Sequence, residues 1–533
     1  MKKIFALALA CAMSVSLLAG CGGSGSSNSG DDSNSGANSS TLTVSLSSSP
    51  SKLDPIHYTG TYEGQIIQQV CSRLVEYNDD MSEYVPSLAT SWEISEDGMT
   101  YVFQIRQGVH FHNGEYVQGR ELTAEDVAWS LNRSGQYSDN KRLAMLDKAE
   151  VTGDWEVTCT LKSANAAFLT ALTDAGNSIV AKEEVEGWGD DFGNHLTGTG
   201  PFIMTEFALD EYATFVANED YWMGKPGVDN LTFRFITDAT QTANALITGD
   251  IDLATMLAGE SINTVDQAGG DISLVKLEAL KINYIRFNMQ NGPTADSLVR
   301  QALIQAVDLD AVRSALYRYD EVKAAYLPLP YGSWGYDASL ESLALPYDVE
   351  AAKAKLAEAG LADGFDLDIY VSNTQERVTL CNLLQGYWAQ IGVNLNIHAT
   401  EWGTFSDMAA SGNADVYAMS WTWYPDPYFF LNNLFCSTNA NSNGNGALYI
   451  DDEVDALLQA AVETTNQDER AAYYGQVMKR AMEDYTGIYY ANPYDCYGIN
   501  SRVQDFKPRA DGKLIFVYSD NGDTITRNVS VAD

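Results

Sequence analysis

Alternation of apolar and polar residues predicts several β-strands in this chain. Thr41–Leu46 alternates along its whole length, as a strand with one buried face does. Apolar positions also alternate on both sides of Asp97-Gly98 and after Gly153-Asp154. Turn residues between alternating runs indicate β-hairpins, so we expect two hairpins in the first third of the chain.

Other segments carry the spacing of amphipathic helices. Thr123-Ala124-Glu125-Asp126 has the form of a helix-capping sequence, and apolar residues follow on one face at 127, 128 and 131. Val349–Ala359 is rich in Ala, Lys and Glu and stops before Gly360, a residue that suits a helix end. Because strands and helices are mixed, the residues predict an α/β or α+β chain in several lobes.

The first twenty residues are organised like a bacterial lipoprotein signal peptide. Lys2 and Lys3 precede an apolar run, Ile4–Leu18, which is too short to span a bilayer. The run ends in Leu18-Ala19-Gly20-Cys21, which resembles the lipobox that precedes a lipid-modified cysteine. We therefore expect residues 1–20 to be removed and Cys21 to be lipidated; the alternative is ordinary secretion with an incidental cysteine.

Residues 21–40 would join the lipid to the body of the protein. From Gly22 to Ser40 the chain is Gly, Ser, Asn and Asp with a single alanine, a composition typical of a flexible linker. No later stretch approaches 18 uninterrupted apolar residues. We expect a protein held by lipid on the outer face of the bacterial cell membrane, which is the periplasmic side if the cell has an outer membrane.

Composition then narrows the classes of function. The 533 residues include 32 Lys+Arg against 72 Asp+Glu, giving a net charge of −40. Such a charge repels phosphate backbones and argues against a nucleic-acid partner. A hydrophobic content of 45% excludes disorder of the whole chain. The seven cysteines are too few and too scattered for a disulfide scaffold.

Four separated segments resemble the extracellular solute-binding proteins of the peptide/nickel-type ABC importers, called family 5. They stand in the family's order and cover most of residues 42–515. The segments are 86–92 with 97–98, 101–103, 108–114 and 122–127; 198–202; 288 with 299–303 and 306–308; and 388 with 391–393, 415, 421 and 424–427.

The resemblance implies an α/β, two-lobed periplasmic-binding-protein type II fold with an extra subdomain in lobe one. Lobe one would occupy 41–280 with the inserted subdomain, lobe two 281–490, and the return to lobe one 491–533. The chain would cross between lobes at Leu277–Phe287 and Tyr489–Ile499. A ligand binds between the lobes of such proteins, and closure makes the shape that the membrane permease recognises. The resemblance implies a monomer without catalysis, cofactor or metal.

The expected ligand contacts are mostly aromatic. In peptide-binding relatives the segment that corresponds to 421–427 lines the cleft, which makes Trp402, Trp421, Trp423 and Tyr424 candidate contacts. The alternative is that these large side chains pack in a core. Such relatives carry an aspartate at the position of Trp423, where it pairs with the peptide ammonium. Tryptophan cannot form that pair, so we expect a ligand that does not need an ammonium group there.

Arg377 is the expected polar contact. It lies eleven residues before Trp388, near the place where dipeptide-type relatives grip the terminal carboxylate. A guanidinium binds a carboxylate with two hydrogen bonds. An exposed arginine without a ligand role is the alternative.

Three ligand classes stay open. Oligopeptides are favoured by their frequency in the family, oligosaccharides would stack on Trp and Tyr, and metal chelates or haem are the third class. A secreted hydrolase is the alternative function, but Gly-x-Ser-x-Gly and His-Glu-x-x-His sequences are absent. His110 and His112 share one face of a predicted strand end, although two histidines without a third ligand rarely bind metal.

Overall fold

The structure is a computed structural model that describes residues 39–58, 60–422 and 424–532. The signal peptide, Cys21 and Trp423 lie outside these residues. The strands are β1 (Thr41–Leu46), β2 (Val75–Tyr77), β3 (Tyr84–Pro86), β4 (Ala89–Ile94), β5 (Thr100–Ile105), β6 (Leu146–Gly153), β7 (Glu156–Leu161), β8 (Phe202–Ala208), β9 (Tyr212–Ala217), β10 (Asn230–Phe235), β11 (Leu253–Ala254), β12 (Ile272–Glu278), β13 (Lys281–Phe287), β14 (Val322–Ala324), β15 (Phe365–Ser372), β16 (Val393–Thr400), β17 (Val416–Thr422), β18 (Gly487–Asn500), β19 (Val503–Gln504), β20 (Val517–Tyr518), β21 (Arg527–Asn528) and β22 (Ser530–Val531).

The α-helices are α1 (Thr61–Val70), α2 (Ala124–Tyr137), α3 (Phe168–Leu172), α4 (Lys182–Trp188), α5 (Ala239–Thr248), α6 (Glu260–Ala268), α7 (Ser297–Gln305), α8 (Leu309–Leu316), α9 (Val349–Glu358), α10 (Gln375–Ala389), α11 (Trp402–Ala410), α12 (Tyr428–Phe435), α13 (Asp452–Glu463) and α14 (Gln467–Glu483).

The local predictions from the sequence are confirmed. Strands β4 and β5 form one predicted hairpin and β6 and β7 the other, and together they make a four-stranded antiparallel sheet. The backbone N–H and hydroxyl of Thr123 each donate to the Asp126 carboxylate over 2.9 Å at the start of α2. Gly360, with φ +76°, follows the end of α9. Short-range patterns therefore specify these elements.

One long mixed sheet consists of two halves that share β18. Strands β8, β9, β10, β1, β11 and β12 lie on one side, which we call lobe one together with the four-stranded sheet. Strands β14, β13, β17, β15 and β16 lie on the other side, which we call lobe two. Strand β18 pairs with β12 through residues 494–500 and with β13 through residues 487–491. The chain thus crosses between the lobes near Ala279 and again near Asn492.

Strand directions decide which edges of the two halves face each other. In lobe one, β1 runs parallel to β10 and β11 and antiparallel to β18 across β11, so its carboxyl end points toward the crossing. In lobe two, β15, β16 and β17 are parallel and run antiparallel to β13, so their carboxyl ends point toward the same crossing. Ligands of α/β sheets bind at such carboxyl edges. In this protein the carboxyl edge of lobe one faces the carboxyl edge of lobe two.

Each lobe has its own core. Residues from β1, α1, β10 and the C-terminal segment share one buried cluster in lobe one, and the four-stranded sheet with α2 and α3 forms another. Lobe two buries one cluster on each face of its sheet. Burying apolar surface on both faces stabilises a sheet covered by helices.

Glycines allow the segment 198–201 to pack closely against α1. A Cβ on Gly200 would lie 2.5 Å from the carbonyl oxygen of Gln69, and a Cβ on Gly198 would lie 2.4 Å from that of Val70. The buried His112 donates its backbone N–H to the Gly198 carbonyl over 2.8 Å. Two of the segments that carry the family resemblance are therefore in direct contact.

The described part of the chain holds no helix that is both long enough and apolar enough to cross a membrane. Ser40, which the sequence assigns to the linker, already bonds to the body, because its backbone N–H donates to the Asp229 carboxylate over 3.0 Å.

Candidate functional site

The candidate site is the cleft between the two carboxyl edges. On the lobe-two side it begins where β17 ends and where α10 follows β15, which brings Ser420 and Arg377 together with Asn283 near the start of β13. On the lobe-one side, Ser47 follows β1 and its hydroxyl lies 2.9 Å from that of Tyr62 on α1. Met256 follows β11, and the Ser47 hydroxyl approaches its sulfur at 3.8 Å.

Arg377 lies in this site, but other lobe-two residues already occupy its guanidinium. The side chain is 8% exposed and donates to the Tyr490 and Ser420 hydroxyls, with Asn283 Oδ1 at 3.5 Å. Burial acts to lower its pKa, yet Tyr490 and Glu376 outweigh that effect and leave the pKa above its usual value. Arg377 is therefore a cation at every accessible pH.

Glu376 supplies the opposite charge beside Arg377. Its Oε1 is 3.6 Å from the Arg377 guanidinium and accepts hydrogen bonds from Tyr317 at 2.7 Å and Asn283 at 3.3 Å. The carboxylate is 40% exposed, so it is open to the cleft in a way that the arginine is not. The bonds fix its orientation at the edge of lobe two.

A second pair of opposite charges lies at the crossing itself. Lys281 Nζ is 3.4 Å from Asp495 Oδ1, which joins the start of β13 to β18. Asp495 is the main cause of the raised pKa of Lys281, burial opposes it, and Tyr62 and Glu376 also contribute. Since Tyr62 belongs to lobe one and Glu376 to lobe two, Lys281 lies where the two walls come together.

The aromatic candidates occupy different surroundings. Trp421 is half-buried, donates its indole N–H to the Phe429 carbonyl over 3.2 Å and packs on a lobe-two core. Tyr424 is buried and packs edge-on against Phe429 at 4.9 Å between ring centres. Trp402 begins α11 after the outermost strand, β16, and is 58% exposed. Trp423 lies outside the described residues, so its contact with a ligand stays a prediction.

A buried ion pair holds the segment between β17 and α12. Asp426 and Arg470 are both almost fully buried and lie 2.8 Å apart. Arg470 also donates to the Ala461 carbonyl over 2.9 Å. This pair connects the aromatic segment to α13 and α14, which fixes its position relative to the lobe-two core.

The same segment contacts the part of lobe one that contains the four-stranded sheet, α2 and α3, which we call the inserted subdomain. Tyr424 and Phe429 belong to the buried cluster that contains Phe168 of α3. The Ala166 backbone N–H donates to the Val462 carbonyl over 2.8 Å, and Tyr428 packs against the same cluster. The two lobes therefore touch along this seam as well as at the crossing, which is a closed arrangement.

A cavity of about 280 Å³ lies on this seam between the inserted subdomain and helices α12 and α13. Polar side chains from both lobes line it, among them Lys162, Asn165, Asn432, Asp455 and Gln459. Because its walls come from two lobes, separating the lobes would open it.

Metal-binding geometry is not found among the described residues, where no three His, Cys, Asp or Glu side chains form a suitable group. His110 Nδ1 lies 3.0 Å from the Gly119 carbonyl oxygen and His112 Nε2 lies 2.9 Å from that of Gly200, so the backbone occupies one ring nitrogen of each. The five cysteines of this part of the chain are unpaired; they are Cys71, Cys159, Cys381, Cys436 and Cys496.

The charged residues Lys281, Glu376 and Asp495 were not singled out from the sequence. Lys281 lies at the start of β13 and Asp495 lies within β18 beside the crossing, so only the order and direction of the strands bring them together. Glu376 lies on α10, which follows the carboxyl end of β15, and there the carboxyl-edge rule applies.

Comparison with known proteins places this architecture among binding proteins. The model of "Bacterial extracellular solute-binding proteins, family 5 Middle" matches residues 83–442. Heme-binding protein A of Haemophilus influenzae is 33% identical over 449 residues, 78% of this chain and 80% of that protein. The dipeptide-binding protein of Escherichia coli is 30% identical over 466 residues, 80% of this chain and 84% of that protein.

A solved structure agrees in its fold over nearly the whole chain. The ABC transporter-associated periplasmic binding protein DppA from Helicobacter pylori, in complex with peptide STSA, superposes with a TM-score of 0.80. It is 26% identical and covers 92% of this chain and 98% of its own.

Proposed function

Because the chain belongs to the bacterial extracellular solute-binding proteins of family 5, we propose that it captures a peptide between its lobes and delivers it to an ABC permease. The family is one of solute-binding proteins, so the hydrolase alternative falls away. The expected type II periplasmic-binding-protein fold is confirmed by the superposition. In this proposal the protein acts as a monomer on the outer face of the membrane, anchored through Cys21.

The observation that carries the proposal is the pairing of opposite charges where the two edges meet. Lys281 with Asp495 and Arg377 with Glu376 place two cations and two carboxylates around one cleft. A peptide is a zwitterion with a polar backbone. The exposed Glu376 carboxylate would receive its ammonium group, and the partly exposed Lys281 would receive its carboxylate. The relatives named for dipeptides and the structure solved with a peptide support the same ligand class.

Haem is the second candidate, because one relative is named a haem-binding protein. The cleft described above offers no imidazole as an axial iron ligand. A haem ligand would therefore need other axial groups.

Mass spectrometry of small molecules released from the purified protein tests the proposal without choosing a ligand in advance. Calorimetric titration with di- to pentapeptides follows, with haem (read by its Soret band) and an oligosaccharide as parallel arms. We expect peptides to bind and the other arms to give no saturable signal. Saturable haem or sugar binding with no response to any peptide would overturn the ligand assignment.

Delivery to a permease is tested separately in cells. Deletion of the coding sequence should abolish uptake of the peptide found in vitro, and a copy with Cys21 intact should restore it. Small-angle scattering should also show a smaller radius of gyration with the peptide present, because a ligand favours closure through contacts that it gains in the closed state. Normal uptake in the deletion strain would argue against the transport role.

A further inference from the structure

Arg286 is a fully buried cation in lobe two, and no acidic side chain of the described residues forms an ion pair with it. It lies on β13 with 0% exposure. Two of its nitrogens donate to the Leu434 carbonyl over 3.2 and 3.3 Å, and its guanidinium lies 4.7 Å from the Phe435 ring centre. Neither partner carries a negative charge, and Arg286 Nε has no hydrogen-bond partner.

Three other buried arginines of the described residues are each paired with an acid. Arg142 is 2.8 Å from Asp174, Arg470 is 2.8 Å from Asp426 and Arg509 is 2.7 Å from Asp511. In each case a carboxylate of similar burial compensates the guanidinium. Arg300 is buried without an ion pair, but backbone carbonyls accept hydrogen bonds from all three of its nitrogens. Arg286 differs from both cases, because its Nε has no hydrogen-bond partner among the described residues.

Tyrosines surround Arg286 on the same face of the sheet. Tyr417 on β17 is its direct cross-strand partner, and Tyr284 is two residues before it on β13, opposite Tyr489 of β18. The Tyr284 hydroxyl is buried and has no hydrogen-bond partner in the part of the chain that the structure describes. The Tyr417 hydroxyl approaches the Ala447 backbone but does not reach hydrogen-bond geometry. The Tyr489 hydroxyl is satisfied, because it lies 2.9 Å from that of Thr486.

These tyrosines cannot serve as counter-ions themselves. Burial raises the pKa of both Tyr284 and Tyr417, so both hydroxyls keep their protons and are available as donors. The C-terminal end of α12 and the Phe435 ring offset part of the charge. A guanidinium taken out of water nevertheless needs an anion to be fully compensated.

We propose that a small monovalent anion of the halide class binds beside Arg286, held by Arg286 Nε and the hydroxyls of Tyr284 and Tyr417. All three groups are donors without a protein acceptor of good geometry, and all lie on the β13–β17 ladder that leads into the ligand cleft. Binding of the anion stabilises lobe two, and the proposal is independent of the ligand that the cleft takes.

Bromide locates the site directly, because it scatters anomalously and replaces chloride. In crystals of the mature protein soaked in bromide we expect an anomalous peak within about 3.5 Å of Arg286 Nε and the Tyr284 hydroxyl. Ordered water there, with no anomalous signal at 100 mM bromide or above (roughly the range in which weak ions exchange fully), would overturn the proposal. An anomalous peak only at surface lysines or arginines would overturn it as well.

Thermal unfolding in bromide and in gluconate at equal ionic strength gives an independent test. Screening acts alike in both salts, but gluconate is too large for a buried site. We expect each tenfold increase in bromide above the dissociation constant to raise the Tm by about 1–2 °C, with no such rise in gluconate. Identical curves in the two salts would refute specific binding.

Variants assign the effect to the proposed donors. Arg286→Met should abolish the difference between bromide and gluconate, and Tyr284→Phe should raise the bromide concentration at half effect about 5- to 10-fold. Tyr489→Phe is the matched control, since its hydroxyl has a protein partner, and it should leave the bromide titration unchanged. If Arg286→Met does not fold, Tyr284→Phe and Tyr489→Phe still test the proposal, because equal bromide titrations of these two variants would contradict it.

Discussion

Replacing His112 should remove part of the acid sensitivity of the protein. His112 is 4% exposed, and its Nε2–H donates to the Gly200 carbonyl over 2.9 Å, while Nδ1 has no partner within residues 39–58, 60–422 and 424–532. Burial lowers its pKa from 6.5 to about 4. One pKa unit corresponds to about 1.36 kcal/mol, so protonation at this site lowers the free energy of unfolding by about 3 kcal/mol between pH 6.5 and pH 4.

The sign follows from proton binding. Above pH 6.5 the imidazole is neutral in the folded and unfolded chains, so His112 contributes its full stability. Between pH 6.5 and 4 the unfolded chain binds a proton that the folded one does not, and the free energy of unfolding falls as the pH falls. Below about pH 4 both forms bind the proton and the loss is complete.

Urea unfolding of the ligand-free protein at pH 7.5, 6.5, 5.5 and 4.5 measures this effect. His112→Gln keeps an amide N–H for Gly200 but cannot titrate, so its free energy of unfolding should fall less than that of the wild type as the pH is lowered. The difference between the two falls should reach up to about 3 kcal/mol at pH 4.5. His110→Gln is the control, because that residue is exposed, and it should follow the wild type. Parallel curves for His112→Gln and the wild type would refute the argument.

Four further predictions concern other parts of the chain. Gly200→Ala, whose methyl group would meet the Gln69 carbonyl at 2.5 Å, should lower the free energy of unfolding in urea by about 1–3 kcal/mol, whereas Gly386→Ala on α10 has nothing within 4 Å and should be neutral or stabilising. Arg470→Leu leaves Asp426 buried without its partner and should cost about 3–5 kcal/mol in the same assay; a loss below 1 kcal/mol, roughly that of an exposed pair, would contradict this. Cys21→Ser should release the protein into the medium or leave an uncleaved precursor, and unchanged membrane fractionation would argue against a lipid anchor. Trp423→Ala should weaken binding of the native ligand by about 1–3 kcal/mol in calorimetry; unchanged affinity would exclude it as a contact.

The sequence predicts those features that depend on near neighbours. Strand β1 and the cap of α2 at Thr123 follow from a few adjacent residues, because alternation and capping are local. The charged cleft does not follow, because Lys281 and Asp495 are 214 residues apart and meet only through the order of strands in the sheet. Among 72 acidic residues, Glu376 carries no local mark of its position. Arg377 was proposed only through a family resemblance, and its role with a ligand stays a prediction.

The division of the chain between the lobes also sets the order in which they can fold. Both lobe-two cores draw their fully buried residues from between Leu280 and Ala491, so this lobe is complete in one uninterrupted stretch of chain. The lobe-one core instead combines Leu42 and Val44 with Phe516 and Val529, residues from opposite ends of the body. Its closure must wait until the last residues have been synthesised and exported, and bringing such distant segments together is slow. During that interval the lobe-one core lacks Phe516 and Val529, and lobe one is the half that depends on protection from aggregation.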